Sequence, residues 1–175
     1  MNQQHIESRW KNYYKLAGIM ALLIVLAGLV DAVTSRMMGE AVENSTVPVT
    51  EWFALFQADP FAALSALGFI NVITLSLGVP LYLALYRAQR EAQPAFALLA
   101  AILFFLGAAI YLSSSTVFSM LALSRQYAAA ADVERPLLEA AGRALLARGA
   151  DLTPGTFPGF FFTQAAGIGM ACVML

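Results

Sequence analysis

The chain has 175 residues, of which 60% are hydrophobic and 12% charged, with a mean hydropathy of +0.71. A water-facing globular surface needs about twice that share of charged residues, so the composition excludes an ordinary soluble domain and defines a membrane protein. A net charge of −1 leaves no basic excess for nucleic acid.

A helix needs roughly 20 apolar residues to cross about 30 Å of hydrocarbon at about 1.5 Å per residue. Reading between charges predicts four spans, at about 16–35, 60–86, 94–120 and 157–175. The first lies between Lys15 and Arg36 and contains one charge, Asp31. A signal peptide with Arg9, Lys11 and Lys15 as its basic region is the competing reading; the long apolar run without a small-x-small cleavage site favours a span. Gly18, Ala21, Gly28 and Ala32 lie along it as small residues suited to close helix packing.

Residues 36–59 hold Glu40, Glu43, Glu51 and Asp59 against Arg36 alone, then the aromatic cluster Trp52, Phe53 and Phe56. Thr50 is placed to cap a short helix whose rings lie at the headgroup level. The second and third apolar runs are uncharged from 60 to 86 and from 92 to 124, each too hydrophobic all round for a half-buried surface helix. Pro80 should kink the second. If wholly helical the third would be about 50 Å long, so its end around 120–127 is expected to project from the lipid or bend along it.

Residues 132–148 read as an amphipathic helix lying over the ends of the spans, with a partner-binding helix as the alternative. Asp132 offers an N-cap, Pro136 sits in the first turn and Gly149 follows the end; Leu137, Leu138, Ala141, Leu145 and Leu146 share one face, with a Glu139 and Arg143 pair on the other. The fourth span begins at the breakers Pro154, Gly155, Pro158 and Gly159, leaving about 16 residues of helix, short of a crossing. The expectation is an incomplete copy of a longer protein. Ala165 and Gly169 are spaced for packing; Gly155 and Gly159 share that spacing, but Pro158 between them argues against a contact there.

Arg9, Lys11, Lys15, Arg87 and Arg90 fall on one side of this topology, and Arg36, Arg125, Arg135, Arg143 and Arg148 on the other. The first set is denser, so the positive-inside tendency puts the N-terminus in the cytoplasm and both long connections outside.

Ionisable and polar groups within spans are the default functional candidates. These are Asp31, Asn71 near the centre of the second span, Ser114 in the Ser113–Thr116 run and Gln164. Asp31 reads either as a carboxylate satisfied by Ser35 or Arg36 or as a proton- or cation-handling group. The others read as interhelix hydrogen bonds or as a polar path. One Cys, Cys172, and one His, His5, exclude an internal disulfide and a multi-cysteine or paired-histidine metal site within the chain. No Ser shares the spans with a His or Lys base, Asp31 has no second intramembrane carboxylate, and no glycine-rich phosphate loop occurs. These absences predict a protein that is not an enzyme and holds no cofactor.

Three stretches, KLAGIMAL at 15–22, LYLALYRAQR at 81–90 and SMLALSRQYAAAADVERPLLEAAGRALLARG at 119–149 followed by GTFPGFFFTQAAGIGMACVML at 155–175, resemble the bacterial multi-spanning membrane proteins known only as domain of unknown function 4386. The resemblance covers nearly the whole chain. It implies about six spans, with further helices after the segment at 160–175, and it brings no activity or site residue. The sequence therefore predicts an all-α transmembrane bundle, a single membrane domain over 1–175 with short interfacial helices. Its role is structural or accessory, with transport of a small solute, ion or lipid through Asp31, Asn71, Ser114 and Gln164 as the alternative. Its partners are the bilayer and a second copy or membrane protein met through the small-residue faces, and its place is the bacterial cytoplasmic membrane.

Overall fold

The computed structural model describes residues 3–38, 47–150 and 152–175, with side chains from residue 10 onward and not for 35–38. Among the described residues every regular element is a helix: α1 (Gln3–Met38), α2 (Val49–Ala58), α3 (Pro60–Ala66), α4 (Phe69–Gln89), α5 (Pro94–Ser114), α6 (Val117–Ala129), α7 (Arg135–Gly149) and α8 (Thr156–Met174). Among the described residues four apolar stretches are long enough to cross a membrane, Trp10–Thr34, Phe69–Gln89, Pro94–Ala129 and Thr156–Met174. The molecule is a helical membrane bundle.

Two antiparallel pairs build it. α5 and α8 make the closest contact in the molecule, and α1 lies along α4, which also meets α5. On α5 the buried positions are Ala97, Ala100, Ala101, Phe104, Gly107, Ala108 and Tyr111; on α8 they are Thr156, Gly159, Ala166, Met170 and Val173. Both sets fall on one face with the three-to-four-residue period of a helix, the seam of two helices packed nearly lengthwise. Because lipid is as apolar as leucine, the gain here comes from backbone proximity and van der Waals contact. A Cβ added at Gly107 would stand 2.7 Å from the Gly159 carbonyl oxygen, and one at Gly159 2.9 Å from Tyr111 Cβ.

Gly155 and Gly159 therefore both face α5, Gly155 against Ser114 and Gly159 against Tyr111, contrary to the expectation drawn from Pro158. The proline is harmless because it is the third residue of α8, where a backbone N–H has no partner within the helix anyway. Of the expected pair, Gly169 meets Ala100 Cβ at an ordinary 3.6 Å. The buried small residue one step on is Ala166, and Ala165 is only half-buried.

The second apolar run is two helices. α3 closes at Leu67, and Gly68 takes φ +86° with its N–H on the Ser65 carbonyl, a left-handed helix stop that suits glycine. Asp59 caps α3 through Ala62 N–H at 3.0 Å with Pro60 at the first helical position. The third run is also interrupted, earlier than expected. Ser115 (ψ 129°) and Thr116 stop α5 just after Ser114, and α6 starts at Val117. Short hydroxyl side chains compete for backbone carbonyls there: Ser113 Oγ donates to the Ile110 carbonyl and Ser114 Oγ to that of Tyr111. Arg148 from the last turn of α7 donates to the Ser113 carbonyl at 3.4 Å, a cation at a helix C-terminus.

α2, α3, α6 and α7 gather as a cap over one end of the bundle. Its core is Val49, Trp52, Phe53, Phe56, Ala63 and Met120. The rings of Trp52, Phe53 and Phe56 face this core, with Phe53 only 1% exposed. Gln57 donates to Ser124 Oγ at 3.2 Å and Ser124 Oγ to the Phe53 carbonyl at 3.4 Å, joining α2 to α6. Val49 opens α2 after Pro48, with no side-chain cap, so Thr50 lies inside the helix rather than capping it. α7 turns Leu138, Gly142, Leu145 and Leu146 inward, while Leu137 is 75% exposed and Ala141 is exposed. Its Glu139 accepts from Tyr127 Oη at 2.9 Å instead of pairing with Arg143. Asp132 pairs with Arg135 at 3.2 Å instead of capping.

Gly107→Ala is expected to lower stability by about 1–3 kcal/mol, since an overpacked methyl must push α8 away. Gly18→Ala, whose added Cβ meets nothing within 4 Å, is expected to be neutral or stabilising by up to about 1 kcal/mol. Thermal unfolding of both variants in one detergent measures the difference.

Candidate functional site

α1 turns Tyr13, Ala17, Met20, Ile24, Ala27, Asp31 and Thr34 toward the bundle, again at steps of three and four, while Gly18, Gly28 and Ala32 point outward. Tyr13 Oη donates to the Pro80 carbonyl at 3.0 Å, which fixes the register of α1 on α4. From Tyr13 to Asp31 is 18 residues, about 27 Å of helix. α4 offers only 11 residues from Pro80 back to Phe69, about 17 Å. Asp31 thus passes the start of α4 and stands level with α3, which α1 also touches. It is half-buried, and its carboxylate makes no hydrogen bond to a described side chain; its backbone carbonyl accepts from Thr34 Oγ1 at 3.1 Å. Ser35 and Arg36, its expected partners, lie outside the described side chains, as do Arg9, Glu40 and Glu43.

Asn71 is not at mid-membrane. With the helix break at Gly68 it falls in the first turn of α4, beneath the cap. A Cβ built on Gly68 would lie 3.5 Å from Asn71 Nδ2 and 2.6 Å from Tyr111 Oη, so the three residues meet around one point. Ser114, the last residue of α5, sits one turn above Tyr111 and against Gly155. Asp31, Asn71 and Ser114 therefore share one level, the end of the spans under the cap. They occupy it separately: Asp31 opposite α3, Asn71 at the α4–α5 contact, Ser114 at the α5–α8 contact.

Gln164 departs from this layer in depth and direction. It is eight residues into α8 from Thr156, about 12 Å toward the other end, and its side chain is exposed. Thr163 beside it donates to the carbonyls of Gly159 and Phe160 and closes on its own helix. Thr74 and Ser76 do the same on α4, through the Asn71 and Val72 carbonyls. Sequence reasoning missed Tyr111, the buried phenol at the centre of the polar layer, because one tyrosine in an apolar run carries no signal of its own. Its spacing from the buried Ala97 and Phe104, fourteen and seven residues, is the trace that it left.

Two clefts lie at the opposite end of the bundle. One, of about 540 Å³, is lined by Trp10, Lys11, Tyr14, Lys15 and Arg87. The other, of about 260 Å³, runs between the start of α5 and the end of α8 past Phe96, Leu103 and Cys172. Neither reaches Asp31, Asn71, Ser114 or Gln164. Among the described residues no three His, Cys, Asp or Glu side chains come together as metal ligands.

Fold and polar layer together define an integral membrane protein of the helix-bundle class. Compared with protein-family models, with curated proteins and with solved structures, the chain matches no family model, no curated protein and no solved structure.

Gly68→Ala is expected to destabilise by at least about 1–2 kcal/mol, because a left-handed conformation is costly for any residue with a Cβ and that Cβ would stand 2.6 Å from Tyr111 Oη. Pairing it with Tyr111→Phe removes the close oxygen but leaves the backbone cost, so partial recovery in a denaturation series separates the two.

Proposed function

We propose that this chain is a bacterial cytoplasmic-membrane protein with a structural or accessory role, not an enzyme, and with its N-terminus in the cytoplasm. The observation that carries the reading is the dispersal of the four polar candidates. A transport path needs polar groups converging on one water-accessible cavity near mid-membrane. Here three of them sit at one end against three different neighbours, and Gln164 faces outward. The hydroxyls of Thr74, Ser76, Ser113, Ser114 and Thr163 close on their own helices, as they do in a packing scaffold.

The resemblance of the stretches at 15–22, 81–90 and 119–175 to the domain of unknown function 4386 family supports the bacterial assignment. The outward Gly28 and Ala32 on α1 support contact with a second copy or a membrane partner. Asp31 favours the second reading, transport of an ion or small solute, since a carboxylate on the inward face of a span is costly unless it is used or paired.

Reconstitution of wild type and Asp31→Asn in liposomes discriminates the two. The expected result is proton and cation flux no greater than in empty vesicles for both proteins. Wild-type flux that disappears in Asp31→Asn would replace the accessory reading with transport.

A further inference from the structure

We propose that the cleft between the start of α1 and the end of α4 is a binding site for an anionic phospholipid, with the lipid phosphate between Lys11, Lys15 and Arg87. Three observations converge on it. The first is charge. Lys11 and Lys15 are one helical turn apart on α1, and Arg87 reaches the same cleft from α4. Among the described side chains the acid in contact with this set is Glu91, whose Oε1 lies 3.4 Å from Arg87 Nη1 while its side chain is 81% exposed. Among those side chains three cations face one such carboxylate, an excess of positive charge in a cleft of about 540 Å³. A phosphate diester is the anion that a bilayer supplies there in abundance.

The second observation is depth. Trp10 and Tyr14 line the cleft with the cations, within the two helical turns before the apolar run that begins at Leu16. Aromatic rings of this kind settle at the headgroup level, and lysines near the end of a span extend toward it. Arg87 lies in the last turn of α4, its guanidinium 5.4 Å from the centre of the Trp10 ring. That cation–π contact holds Arg87 at the height of the headgroup oxygens.

The third is what lies below. Past the cleft the outward face of α1 carries Ile19, Leu22, Leu23 and Leu26, all at least 45% exposed. Gly18 between the cleft and this strip leaves open space where a side chain would project. Acyl chains hanging from a phosphate at Lys11 and Lys15 would run along that strip. Inorganic phosphate has no use for it, which commits the site to a lipid. The bond from Tyr13 to the Pro80 carbonyl keeps α1 and α4 together at this level, so the cleft is formed before the lipid arrives.

The test is native mass spectrometry of the full chain in neutral detergent, with phosphatidylglycerol and phosphatidylcholine of matched acyl chains supplied in equal amounts. Wild type is expected to retain phosphatidylglycerol about tenfold better. Lys11→Gln with Lys15→Gln should bring the ratio close to one, and Arg87→Gln alone should lower it by several-fold. Arg90→Gln, an exposed cation at the same end, should leave it within about twofold if the cleft and not general surface charge selects the lipid. Unchanged helical circular dichroism confirms that each variant is folded. Equal retention of the two lipids by wild type overturns the proposal. So does a loss in Arg90→Gln as large as that in the lysine pair, or displacement of the lipid by millimolar glycerol 3-phosphate, which would define a site for a soluble anion.

Discussion

The approach of α5 to α8 through Gly107 and Gly159 is the contact on which the arrangement depends. In water a helix pair is driven together by the apolar area it hides; in lipid that term nearly vanishes, and what remains is how closely two backbones can pack. A Cβ at Gly107 would stand only 2.7 Å from the opposing carbonyl oxygen, so the two helices approach at a distance that glycine alone permits. Phe104, on the same face of α5, then fills the gap toward α4, stacked 3.8 Å from the Tyr82 ring and pressed onto Gly78. α1 is held by a looser set of contacts to α4 and α3, which is why most of its surface is left for lipid.

A second constraint orders the ends of the helices. Hydrocarbon offers no hydrogen-bonding partner, so a chain can leave helical geometry only where the freed groups are met by protein or by the polar boundary. The two breaks within the apolar runs, at Gly68 and at Ser115, fall on the same side of the bundle and adjoin the cap. Each brings its own remedy: the Gly68 N–H returns to the Ser65 carbonyl, and Arg148 reaches the Ser113 carbonyl from α7. The cap is thus more than a cover. It supplies part of the hydrogen bonding that lets α3 turn into α4 and α5 into α6, and it is built like a soluble domain, with Phe53 and Met120 sealed inside.

Much of this was legible in the sequence because hydropathy reads length directly: the first three crossing stretches follow from runs with at most one charge, whereas the fourth, expected to fall short of a crossing, is a 19-residue helix because it starts at Thr156, ahead of Pro158 and Gly159. The breaks were not legible, since charges mark only the ends of an apolar run, and neither Gly68 nor the Ser113–Thr116 run carries one. Moving the start of α4 to Phe69 is what shifts Asn71 from the centre of a span to its edge. The face of a helix was harder still. Leu137 and Leu138 are equally apolar, and only the presence of α2 and α6 decides that Leu138 turns inward. Likewise the small residues of α1 looked like a packing face, yet Tyr13 on Pro80 sets a rotation that turns Gly18 and Gly28 away. Such choices belong to tertiary contact and have no local signature.

The cap joins parts of the chain that are made far apart in time. α2 and α3 emerge after the first span, whereas α6 and α7 emerge only after two more spans have been threaded through the bilayer. Until then Trp52, Phe53 and Phe56 have no Met120 or Tyr127 to cover them, and their half of the cap must wait at the membrane surface. Closure of the cap therefore records that the third span has been inserted the right way round. A chain with α5 inverted would leave that aromatic cluster open.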